Sequence, residues 1–117
     1  MYNPKPRLQK ELSSLGYHCQ QGSQAIFNED QIPAITFRID NNSVDTDLDN
    51  KISSQDIVVA VGVWTDDSPT ASRILGEVEE KMRELGYRMV FSADIPNPDG
   101  SLFHISTRFS GYPLDAL

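Results

Sequence analysis

Between Asp45 and Asp56 the chain reads Asp-Thr-Asp-Leu-Asp-Asn-Lys-Ile-Ser-Ser-Gln-Asp. Asp45, Asp47, Asp49 and Asp56 fall at positions 1, 3, 5 and 12 of a twelve-residue calcium loop, with aliphatic Ile52 at position 8. Carboxylates at that spacing can wrap a hard cation, so a small calcium-binding interaction domain is one reading of the 45–56 stretch. Against it, Asn50 stands where the sharp turn wants glycine, Asp56 is shorter than the usual bidentate glutamate, and the flanks read as strands. The competing reading is a solvated loop whose like charges keep it extended. We assign no residue as a metal ligand and expect no cofactor.

The remaining reactive groups are few. Cys19 adjoins His18, but neighbours on a strand point to opposite faces, and only His104 is left to partner the thiol. Cys19 reads as a small buried hydrophobe. Asp66 and Asp67 precede a helix start at Ser68, where carboxylates favour the positive end of the helix dipole. The chain has no glycine-rich phosphate loop, no Cys-x-x-Cys and no His-Glu-x-x-His. We expect no enzyme and name no catalytic residue.

The elements that must position these groups are organised around Ile57 to Trp64, IVVAVGVW. This valine-rich run is too short for a lone helix or a membrane span and reads as the central strand of a sheet. Ile57, Val59, Val61 and Val63 would face one side, and Val58, Ala60, Gly62 and Trp64 the other. Before it, Tyr2 to Pro6 reads as an irregular lead-in. Leu8, Leu12 and Leu15 give a short helix over 5–15, ended by Gly16. Tyr17 to Gln20 and Gln24 to Phe27 are weak strand candidates. Ile35, Phe37 and Ile39 alternate with Thr36, Arg38 and Asp40 in a half-buried strand, and 41–56 reads as a loop.

After the central strand the signals sharpen. Ser68 reads as an N-cap with Pro69 at the first helical position, and Ala71, Ile74, Leu75, Val78, Met82 and Leu85 form one apolar stripe. Glu77 and Lys81 are spaced for an i,i+4 ion pair, and Gly86 ends the helix. Tyr87 to Ile95 and Leu102 to Phe109 then form an antiparallel hairpin around Pro96-Asn97-Pro98-Asp99-Gly100. Tyr87, Met89, Phe91 and Ala93 are expected on one face. Phe103, Ile105 and Phe109 are expected inward, with His104, Ser106 and Arg108 outward. Residues 110–117 read as a tail. The helix-end pattern around Leu15-Gly16-Tyr17 recurs around Leu85-Gly86-Tyr87, which shared helix-stop chemistry is enough to explain.

These elements predict an α+β fold: a mainly antiparallel four- to five-stranded sheet with two amphipathic helices packed on one face. At 117 residues we expect one domain over 1–117. Two helices cannot cover both faces of such a sheet. The face bearing Val58, Ala60, Gly62 and Trp64 is therefore a candidate for burial by another subunit, or for partial shielding of Trp64 by a loop. The formal net charge of −7 disfavours free nucleic acid and anionic membranes as partners. A single cysteine fits a reducing compartment, and MYNPKPRLQKEL lacks the apolar core of a signal peptide.

Three local patterns fall in a suggestive order: the Pro-led strand Ile32-Pro33-Ala34-Ile35-Thr36-Phe37, the strand end Val61-Gly62-Val63-Trp64 followed at once by a helix, and the hairpin around Pro98-Asp99-Gly100 running into His104-Ile105-Ser106-Thr107-Arg108-Phe109. Over Pro33 to Gly111 the chain resembles the tail-terminator and tail-completion proteins of long-tailed bacteriophages and prophages. The resemblance implies a structural, non-catalytic homo-oligomer, commonly a hexameric ring. Such a ring caps the tail tube, halts its growth and joins it to the head, so its partners are the tail tube protein and a head-completion protein. It places the protein in the virion tail and, during assembly, in the host cytoplasm. A head–tail connector or minor capsid component is the neighbouring alternative. The long acidic stretch 41–56 departs from the family pattern and is a candidate contact with the tube or a neighbouring subunit.

Overall fold

The computed structural model describes residues 4–22, 32–46, 52–95 and 103–111; for 41–46 and 52–56 it describes the backbone. Helix α1 spans Lys5–Ser13, strand β1 His18–Gln21, β2 Ala34–Thr46, β3 Ile52–Thr65, helix α2 Ser68–Glu84, β4 Tyr87–Ile95 and β5 Phe103–Gly111. The five strands form one sheet in the order β1-β2-β3-β5-β4. Only the β1–β2 pairing is parallel. The fold is α+β, with a mainly antiparallel sheet, as the alternation of the strands predicts.

β3 lies at the centre because it is apolar enough to be covered. Ile57, Val59, Val61 and Val63 are at most 1% exposed, and they meet Leu8 and Leu12 of α1 and Ala71, Ile74, Val78 and Met82 of α2. Ile35 and Phe37 of β2 and Ile105 and Phe109 of β5 extend this layer to either side. Thr107 is a buried polar residue among them; its hydroxyl donates to the Val61 carbonyl at 2.8 Å, which removes the cost of burying it. The helices end on glycines with positive φ, Gly16 at 94° and Gly86 at 99°. They are tied by Lys81, 3.8 Å from Glu11, and by Tyr17, whose hydroxyl donates to Glu77 at 2.6 Å. Glu77 and Lys81 thus find these longer-range partners beyond the i,i+4 pairing their spacing suggests.

Several expectations are corrected. Helix α1 begins at Lys5, so Pro6 lies in its first turn, where a missing N–H costs nothing. The cap of α2 is Asp67, in extended conformation, whose carboxylate accepts from the Thr70 N–H at 3.3 Å and from the Thr70 hydroxyl; Ser68 is already helical. Residues 41–46 and 52–56 are not loop but paired backbone, from Asn41 opposite Val58 to Thr46 opposite Ile52. Their Asn, Asp and Ser content disfavours strand on propensity, but the ladder started by Ile35–Val63 simply continues. β5 runs on to Gly111, two residues past the expected return strand. Phe103 is 46% exposed, because it opens β5 opposite Thr65, the last residue of β3 before the chain turns into α2.

The largest correction is in β4. The register shifts between Met89, opposite Phe109, and Phe91, opposite Arg108. Val90 is the extra residue of a β-bulge, and a bulge exchanges the two faces of everything beyond it. Tyr87 and Met89 therefore point to the helices, whereas Phe91 and Ala93 share the opposite face with Arg108 and Ser106. The segments 24–27 and 96–100, read as strand and turn, lie outside the described residues, as do Asp47 and Asp49.

Candidate interaction face

The face of the sheet turned away from the two helices, which no described element covers, is built from the alternate residues of β2, β3 and β5, brought side by side by register; Ala34 and Thr36 are nonetheless buried on it. Three cross-strand rows define it. The first is Ala34–Trp64–His104–Ile95, the second Thr36–Gly62–Ser106–Ala93 and the third Arg38–Ala60–Arg108–Phe91. The middle row has only small side chains, so it forms a shallow trough across the strands between an aromatic and a cationic row.

The aromatic wall is tightly arranged. Trp64 and His104 stack with ring centroids 3.6 Å apart and planes 12° from parallel. The indole Nε1–H donates to Thr36 Oγ1 at 3.1 Å. Gly62 sits beneath them: a Cβ there would lie 2.7 Å from Thr36 Oγ1, 2.9 Å from His104 Nε2 and 3.0 Å from Trp64 Nε1. Only glycine lets these three side chains close over the strand. Burial lowers the His104 pKa, so its ring is held neutral.

The cationic wall carries an internal counter-ion. Asp40 lies at a second bulge, between Ile39 opposite Val59 and Asn41 opposite Val58. Its carboxylate is 2.6 Å from Arg38 Nη1 and accepts from Arg108 Nε at 2.8 Å. Both arginines flank Ala60, which is small enough for one aspartate to bridge them. The hydrogen bond from Arg108 holds the Asp40 carboxyl below its ordinary range. The Arg108 guanidinium also lies 5.4 Å from the Phe91 ring centre.

The groups singled out for chemistry are kept apart. Cys19 packs from β1 against the core, where burial pushes its thiol pKa up, while His104 lies on the uncovered face. The sheet itself separates a thiol from its one candidate base. Asp45 and Asp56 lie on paired, extended strands, opposite Ser54 and Ser43, not on the tightly wound loop that a calcium site of this spacing requires. Asp67 caps a helix. What converges instead is hydroxyls, stacked aromatics and paired arginines, a set suited to recognition. Thr36, Arg38, Asp40 and Phe91 were not legible as a cluster. The outward positions of Thr36, Arg38 and Asp40 in one strand were; that of Phe91, the strand order and the two bulges that join them were not.

No protein-family profile matches the sequence, and no curated protein matches it. In structure, the chain is similar to a chain of the "Virion of native gene transfer agent (GTA) particle", with a TM-score of 0.55 at 8% identity, covering 88% of this chain and 83% of that one. At that identity the likeness is one of fold: both chains share this α+β arrangement over most of their length.

Proposed function

We propose that this protein is a structural virion component of a phage or prophage, whose copies close into a ring that terminates the tail tube and joins it to the head. The observation that carries the reading is the shared fold with a chain of a virion particle over 88% of this chain. The order of the Pro-led strand, the Val61-Gly62-Val63-Trp64 strand and the β4–β5 hairpin supports it from the side of sequence. So does a sheet with one face covered by its own helices and the other presenting recognition groups, since an incomplete layer is what an assembling subunit offers. In this reading the partners are further copies of the chain, the tail tube protein and a head-completion protein. The ring works by geometry and docking, without catalysis. The acidic balance contributes specificity and on-rate through charge complementarity.

The test is the mass of the purified chain by light scattering across concentration, with negative-stain images of the assembled species, followed by addition to growing tail tubes. A closed ring that arrests tube length supports the proposal. A ring that binds the head-completion protein but leaves tube length unlimited points to a head–tail connector. A strict monomer that binds neither tube nor head overturns it.

A further inference from the structure

Phe91 is 44% exposed on the sheet face turned away from the helices, opposite Arg108 of β5. Beside its row runs a further one, in which Val58 pairs with Ser110 and Ser110 with Arg88. Phe91 thus has one arginine on its own strand and another across the ladder, and Arg38 stands beyond Ala60 in its own row. The side chains of Arg38 and Arg108 stay 43% and 40% exposed although Asp40 lies against both. Three arginines and one aspartate make the patch around Phe91 cationic. The whole chain carries −7, so the rest of it is more acidic still.

A second patch lies in the helical layer. Where α2 passes the end of α1, Ser14, Leu15, Glu77, Glu80, Lys81 and Glu84 line an open recess of about 320 Å³. Glu77, Glu80 and Glu84 follow one stripe of α2. Glu77 accepts from the Tyr17 hydroxyl, and Lys81 lies near Glu11 and Glu84. Glu80 and Glu84 are exposed, and half-buried Leu15 gives the recess an apolar lining. An apolar spot beside carboxylates is the complement of an aromatic ring beside guanidinium groups.

We infer that the patch around Phe91 on one copy docks on the recess between α1 and α2 of the next, with its arginines meeting Glu80 and Glu84 and Phe91 covering Leu15. The two surfaces lie on opposite layers of one subunit, so the contact is head-to-tail, the kind that closes into a ring when its rotation allows. A face-to-face dimer would instead press two cationic patches together. The charges set partner and orientation, while the burial of Phe91 and Leu15 contributes affinity. The inference rests on the ring reading above and names the surfaces that reading leaves open.

The experiment uses the full chain, in wild-type form and as two charge-reversed variants. One is Arg38→Glu with Arg88→Glu, which leaves Arg108 and Asp40 paired. The other is Glu80→Lys with Glu84→Lys, which leaves Glu77 tied to Tyr17. Circular dichroism melts confirm that each is folded; should either pair unfold, Arg88→Glu or Glu80→Lys alone takes its place. By light scattering, at a concentration where wild type is assembled, each variant alone is expected to associate about tenfold more weakly or worse. An equal mixture of the two is expected to associate again, because the native patch of one meets the native recess of the other. Assembly of either variant alone as strong as that of wild type overturns this inference and leaves the ring reading standing. So does a mixture that stays monomeric. A patch variant that assembles normally but no longer binds tail tubes assigns the patch to the tube and overturns it as well. A wild type that remains monomeric at every concentration overturns both readings.

Discussion

Replacing Gly62 by alanine adds one methyl group at the most crowded point of the uncovered face. That carbon would meet Thr36 Oγ1, His104 Nε2 and Trp64 Nε1 at 2.7–3.0 Å, about 0.5–1 Å inside ordinary contact distance. Overpacking of this kind costs about 1–3 kcal/mol. The Trp64-to-Thr36 hydrogen bond must stretch, and a bond of this type contributes about 1 kcal/mol. Alanine in a strand recovers roughly 0.5–1 kcal/mol of backbone entropy relative to glycine. The balance is a loss of about 1–3.5 kcal/mol. For a chain of this size that lowers Tm by about 3–20 °C, taking roughly 3–6 °C per kcal/mol. The assay is a thermal melt by circular dichroism, with tryptophan fluorescence of Trp64, the one tryptophan, reporting the stack directly. Gly76 is the control: it lies exposed in mid-helix with nothing within 4 Å of an added Cβ, so Gly76→Ala is expected to gain about 0.8–1 kcal/mol. A Gly62→Ala protein as stable as wild type, with unchanged fluorescence, would show that Trp64 and His104 do not close over this strand.

Three further outcomes follow from the same geometry. Because the folded pKa of His104 lies below its unfolded value of about 6.5, the unfolded chain binds the proton more readily. Stability is then complete above that pH and declines as the pH falls through it towards the folded value; urea titrations between pH 5 and 8 should show the slope, and His104→Gln should remove it. Asp67→Ala removes the cap from the Thr70 N–H and should cost about 1 kcal/mol by chemical denaturation, with Asp67→Asn restoring most of it. Leu12 is fully buried between the helices and the sheet, so Leu12→Ala should lose about 2–5 kcal/mol in the same assay.

How much of this was readable beforehand depended on whether the signal lay in side-chain alternation or in strand order. The apolar sides of β3 and α2 announced themselves, because burial against a single layer imposes a period of 2 or 3.6 that survives in the residue types. The pairing of β4 with β5 was likewise plain. The pairing of 41–46 with 52–56 was not, since Asn41, Asn42, Ser43 and Asp45 are strand-forming only by continuing a ladder begun elsewhere. The bulge at Val90 was also hidden: Val-Phe reads as more strand, and nothing in those two residues says that Phe91 will leave the core side for the company of Arg108. The Arg38–Asp40–Arg108 bridge needed both a bulge and the adjacency of β2, β3 and β5. The calcium-like spacing gave no hint that its two ends, Asp45 and Asp56, lie on paired strands.

The strand order also fixes how the chain must fold. β2 with β3 and β4 with β5 are hairpins between neighbours in sequence, and α2 forms within itself. The seam between β3 and β5 is different, since Val61 and Thr107 meet across 46 positions of chain. Loop-closure entropy is therefore concentrated at one join, where two locally assembled halves come together with α2 as the tether between them. Mixing the halves as separate peptides, 1–66 and 67–117, turns that join into a bimolecular step, whose rate would report how far each half is organised before it meets the other.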